Sequence, residues 1–113
     1  MSERAMQEPT LLVLTALADR PRHGYAILRE VSAISDGRVR LRTGTLYSAL
    51  ERLLAQGLIA IDREEIVEGR LRRTYGLAEP GREALAAEAA RLTATAGEAI
   101  RRLGGLGAKG ATA

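Results

Sequence analysis

Residues 43–56, Thr43-Gly44-Thr45-Leu46-Tyr47-Ser48-Ala49-Leu50-Glu51-Arg52-Leu53-Leu54-Ala55-Gln56, and the two apolar runs that follow decide the fold. Leu46, Leu50, Leu53 and Leu54 recur at helical spacing, so the spacing predicts a helix from Thr43 to Gln56, with Gly57 as its stop. Thr45, Ser48, Glu51 and Arg52 occupy the opposite face, and Tyr47 stands at the flank. Leu58–Glu64 and Leu71–Leu77 read as strands, joined by a charged stretch ending in Glu68-Gly69-Arg70. Two strands with such a loop make a hairpin.

Upstream, Arg38-Val39-Arg40-Leu41-Arg42 alternates charge and aliphatic side chains, which predicts a short half-buried strand with three arginines on one face. Before it, Ile27, Leu28, Val31 and Ile34 form the apolar stripe of a helix from Gly24 or Tyr25 to Ser35, and Asp36-Gly37 marks a turn. Asp19 to Gly24 breaks the chain around Pro21. A first helix opens at Glu8-Pro9-Thr10 and buries Leu11, Leu14, Leu17 and Ala18, while Met1–Gln7 reads as an arm or an extra turn. The expected fold class is therefore mainly α with a small β-hairpin: a winged helix-turn-helix domain over residues 1–78.

Downstream, a helix is expected over 79–103. Leu85, Ala89, Leu92, Ala96, Ala99 and Leu103 are spaced 4, 3, 4, 3 and 4 apart, a heptad seam. Such a stripe can cap its own domain or pair with a second copy. A rod of roughly 37 Å, at 1.5 Å per residue, exceeds what so small a domain covers, which favours a dimerisation helix. Residues 104–113, rich in Gly and Ala, read as a disordered tail.

The 113 residues contain no Cys, Trp or Phe, so a disulfide frame and a thiolate metal site are excluded, and a reducing cytoplasm fits. No long apolar run suggests a membrane span. The only histidine, His23, has no thiol partner and reads as a cap or packing group. Asp19, Asp36 and Asp62 sit at turns without the pairing that acid–base catalysis needs, so no catalytic, metal or cofactor site is expected. Charge is uneven: residues 38–73 hold eight Arg against five acids, which supplies the whole net charge of +3. A basic middle beside a helix with short polar side chains suits double-stranded DNA, whose major groove admits a helix.

The expected DNA-binding residues are Arg42, Thr43, Thr45, Tyr47, Ser48 and Arg52 on the helix and its approach, with Arg70, Arg72 and Arg73 on the wing. Thr43 also suits a cap, Tyr47 suits packing between helices, and Glu64, Glu65 and Glu68 dilute the wing's charge. A winged helix used for protein–protein contact, without DNA, is the alternative.

Leu11-Leu12-Val13-Leu14, His23-Gly24-Tyr25-Ala26-Ile27 and Gly44-Thr45-Leu46-Tyr47-Ser48-Ala49-Leu50, with Gly57-Leu58-Ile59 and the run Arg72–Gly81, resemble the PadR family of bacterial transcriptional regulators. The resemblance spans roughly Glu8 to Leu103 and implies a repressor homodimer, joined through the last helix and placed on an inverted-repeat operator. It also implies release by a small-molecule effector, a DNA contact for Tyr47 and a packing role for Tyr25. The single last helix resembles the short subfamily. Two departures stand out. Ala78 replaces the family's capping Thr, and no Trp is present to stack a flat drug at the dimer interface.

Overall fold

The computed structural model describes residues 6–112, with side chains described through Gly104. Of the segment Met1–Gln7 expected as an arm or an extra turn, Met1–Ala5 lie outside the described residues, as do the side chains beyond Gly104. Helix α1 (Glu8–Ala16) opens with Glu8 and Pro9, where a missing N–H costs nothing. Its burial is broader than the single stripe expected: Leu12, Val13, Leu14, Ala16 and Leu17 are buried, whereas Leu11 and Ala18 are only half-buried. The reason is position, since α1 is packed by other helices on two sides.

A two-residue strand, β1 (Arg22–His23), follows the break and leads directly into α2 (Gly24–Ile34). Arg22 is nearly buried; its Nε donates to the carbonyl of Ala16 at 2.7 Å, closing the end of α1. His23 caps α2: its Nδ1 accepts from the backbone N–H of Ala26 at 3.3 Å.

Residues 38–42 are not a strand. Val39 and Leu41 do turn inward and the arginines outward, so the alternation reports burial faithfully. The backbone, however, is already engaged: the buried hydroxyl of Ser35 accepts from the N–H of Val39 at 3.0 Å and donates to the carbonyl of Val31 at 2.9 Å. The third strand of the sheet is instead β1, which the sequence presents only as a break.

Helix α3 (Thr43–Ala55) buries Leu46, Ala49, Leu50 and Leu53. Arg42 occupies its N-cap position without a side-chain bond, so the capping role expected of Thr43 is not found. At the other end Gly57 has φ +75, its N–H bonds Leu54 O and that of Leu58 bonds Leu53 O, each at 3.0 Å. That pair of bonds is a Schellman motif, which needs the left-handed glycine.

The hairpin strands β2 (Ile59–Val67) and β3 (Arg70–Leu77) run further toward the tip than expected. Val67 faces Arg70, so the turn is only Glu68-Gly69, with φ of 53 and 79. Positive φ at both central residues matches the twist of the flanking strands. The antiparallel sheet runs β1-β3-β2, with an irregularity between Ile61 and Arg63.

Helix α4 (Glu79–Thr112) extends nine residues beyond the expected end at Leu103; lengthening a formed helix needs no new nucleus. Its start is locked without the missing threonine cap. The N–H of Ala78 donates to Leu58 O at 3.0 Å, and a Cβ on Gly81 would stand 1.9 Å from that same carbonyl oxygen. The core joins α1, α2 and α3 with Ile59 and Tyr75 of the sheet, and Leu85 of α4 packs against it.

Candidate nucleic-acid interface

With Leu46, Leu50 and Leu53 turned inward, helical geometry divides the rest of α3 into three strips. Gly44, Ser48 and Glu51 lie farthest from the core, and all are exposed. Thr45 and Arg52 fall on the side toward α1, where an Arg52 guanidinium nitrogen donates to the Thr10 hydroxyl at 3.2 Å. Tyr47 and Leu54 fall on the side toward α2 and β3. Thr43, Thr45 and Ser48 are thus fully presented, whereas Arg52 is held to the scaffold.

Tyr47 is packed as well as presented. It is 43% exposed, yet a Cβ on Gly24 would come within 2.2 Å of its hydroxyl oxygen. Gly24 at the start of α2 is therefore the seat for the Tyr47 ring. The packing reading of Tyr47 is found, and the residue also keeps an open face. Behind it lies Tyr75, whose burial pushes its hydroxyl above the usual range, helped by the adjacent Tyr47 and opposed by Arg73. His23 is pushed the other way, first by burial and then by the positive charges of Arg72 and Arg29. Together these side chains border a cleft of about 400 Å³ between α2, α3 and β3.

On the wing, strand alternation puts Arg70 and Arg72 on one face and Arg73 on the other. Cross-strand register then matches charges. Glu65 faces Arg72, with an ion pair at 3.5 Å, and Glu64 faces Arg73, with an ion pair at 2.7 Å. The hydrogen bond that Arg73 donates to Glu64 holds its guanidinium even more firmly protonated. Arg70, at the turn, and Arg42, before α3, are exposed and make no ion pair among the described residues. The nine expected DNA-binding residues therefore lie on α3, its approach and the wing, but three of them (Arg52, Arg72 and Arg73) already have partners within the chain.

Of the seam residues, Leu85 is committed to the core of its own domain. Ala89, Leu92, Ala96, Ala99 and Leu103 are exposed, Leu92 at 39% and Leu103 at 63%, and Ile100 joins them at 64%. Near the start of the helix, Glu88 is buried and ion-paired with Arg91, which keeps its carboxyl below the usual range.

Sequence reasoning missed four residues that border the cleft: His23, Gly24 and Tyr25 at the start of α2, and Tyr75 of β3. The usable signal was Gly24 itself, since a glycine opening a helix beside a tyrosine-bearing one points to close approach.

The transcriptional regulator PadR-like family matches residues 13–87. A transcriptional regulator of Mycobacterium tuberculosis, Rv3488, is 39% identical over 75 residues, which cover 66% of each protein. An uncharacterised 37.1 kDa protein in a Streptomyces fradiae transposon is 46% identical over 79 residues, 70% of this chain and 21% of that protein. The chain thus spans about a fifth of one relative and just under two thirds of the other. Among solved structures, a PadR family transcription regulator from Clostridium difficile superposes with a TM-score of 0.69 at 20% identity, over 86% of this chain and 98% of that one. Bacillus subtilis PadR in complex with operator DNA gives 0.62 at 20% identity, over 70% of this chain and 45% of that one. A winged helix with an added helix, bearing these motifs over this span, belongs to the PadR-like family of transcriptional regulators.

Proposed function

We propose that the chain is a sequence-specific DNA-binding regulator, a repressor that acts as a homodimer on an inverted-repeat operator in the cytoplasm. The observation that carries the reading is the exposed strip of α3. Gly44, Thr45 and Ser48 present short side chains, with no bulk to hold a helix out of a major groove, and Arg42 and Arg70 flank the strip. The fold shared with the Bacillus subtilis protein crystallised on operator DNA supports it. Pairing of two copies is supported by the exposed aliphatic face of α4, which has no cover among the described residues of its own chain. Among the described residues no helix is long and apolar enough to cross a membrane.

One observation favours a second reading, a winged helix that meets another protein: two wing arginines are neutralised by the wing's own acids. Salt separates the two. If the interface displaces counterions from phosphates, affinity for a duplex falls steeply and log-linearly as salt rises. Binding to duplex DNA that ignores salt, or no binding at low salt, would contradict the DNA reading. Repression is checked by placing a selected site within a reporter promoter, where expression should fall when the protein is present.

A further inference from the structure

The open strip of α3 includes an acid. Gly44, Ser48 and Glu51 lie farthest from the core, and Glu51 is the one charged residue of the three. It makes no side-chain hydrogen bond or ion pair among the described residues. Arg72 and Arg73 line the same cleft as Glu51, but they are paired with Glu65 and Glu64. The neighbouring Arg52 turns away to Thr10.

A carboxylate on a surface that meets DNA is repelled by every phosphate. It is therefore useless for gripping the backbone, but base edges are a different matter. A carboxylate only accepts hydrogen bonds. In the major groove guanine shows two acceptors, thymine an acceptor beside its methyl, and adenine an acceptor beside its amino donor. Cytosine alone offers an amino donor and no acceptor.

The helix brings the carboxylate to the bases. A Cβ built on Gly44 would meet nothing within 4 Å, so packing among the described residues does not demand a glycine there. Its bare backbone instead lets the strip come close to a base edge. Glu51 lies about 4.5 Å along the axis from Ser48, at 1.5 Å per residue. That is little more than the base-pair step of about 3.4 Å, so the two residues address neighbouring base pairs.

We propose that Glu51 accepts a hydrogen bond from the amino group of a cytosine in the major groove and so sets one base pair of each half-site. This assignment rests on the DNA reading above.

The test selects bound sites from random DNA with the full wild-type chain, Glu51→Ala and Glu51→Gln, all altered at an exposed position. The wild type should enrich a cytosine at one position of each half-site. Glu51→Ala should lose the preference at that position alone, and Glu51→Gln, which can donate as well as accept, should admit adenine there. In titrations of the selected duplex, replacing that cytosine should weaken the wild type by about fivefold or more and Glu51→Ala by less than about twofold. A cytosine preference that survives in Glu51→Ala would overturn the assignment. So would Glu51→Ala binding every sequence more tightly with all base preferences unmoved, the behaviour of an acid that only repels phosphates. A wild-type chain that enriches no sequence overturns the DNA reading itself, and the assignment with it.

Discussion

The winged body and helix α4 solve the same problem in opposite ways. From α1 to β3 the aliphatic residues cover one another, and Leu14, Leu17, Ile27, Leu46, Leu50 and Leu53 are essentially removed from water. Along α4 beyond Leu85, Leu92, Ile100 and Leu103 stay in solvent. The body therefore has its own core, whereas α4 carries apolar surface that no other described residue of the chain covers. The contrast separates stability from assembly, and substitutions should respect that boundary.

The largest effect should come from the body. Leu14→Ala leaves a cavity in a fully buried site and should cost roughly 2–5 kcal/mol, read from a denaturant midpoint. The junction comes next. Gly81→Ala forces a Cβ onto the Leu58 carbonyl, a backbone atom that moves only with the end of α3 and the start of β2. A loss of about 1–3 kcal/mol is expected, with wild-type stability if the helix start can simply slide. On the far side of the boundary, Leu92→Asp should turn the proposed dimer into a monomer on a sizing column while the thermal transition of the body persists. A dimer that survives would move the interface off this seam.

Smaller effects should come from the reading surface. Glu64→Gln with Glu65→Gln frees Arg73 and Arg72 and should strengthen duplex binding by about twofold to fivefold, with a steeper salt dependence. Weaker binding would mean that those acids position the arginines. Tyr47→Phe with Arg70→Ala should weaken binding with the dimer intact. The smallest effect belongs to His23, whose burial and cationic neighbours hold it below its usual value. The unfolded chain then binds the extra proton, so stability is complete above about pH 6.5 and declines as pH falls below it. In His23→Asn, which keeps a side-chain acceptor, this slope should flatten.

The same boundary separates what the sequence made legible from what it did not. Elements whose signal is their own periodicity, α2 and α3, were readable almost to the residue, and so was the stop at Gly57. Pairing was not readable. The alternation of residues 38–42 correctly placed Val39 and Leu41 inward, but the Ser35 hydroxyl holds the backbone N–H of Val39. The strand that completes the sheet is only two residues long, too short to show any period. At the candidate interface, residue types marked the exposed strip of α3, yet the partners of Arg52, Arg72 and Arg73 come from Thr10 and the facing strand. The Tyr47 seat depends on a glycine in a different helix, a relation that exists only once α2 and α3 are packed.

Selection of bound sites from random DNA, run in parallel on the wild-type chain and Leu92→Asp, tests the division of labour most directly. Two reading helices fixed by one seam should enrich an inverted repeat, with half-site centres about one helical turn or a multiple apart. The monomeric variant should enrich the same half-site alone, with lower affinity. A paired site from the variant, or a lone half-site from the wild type, would contradict the account.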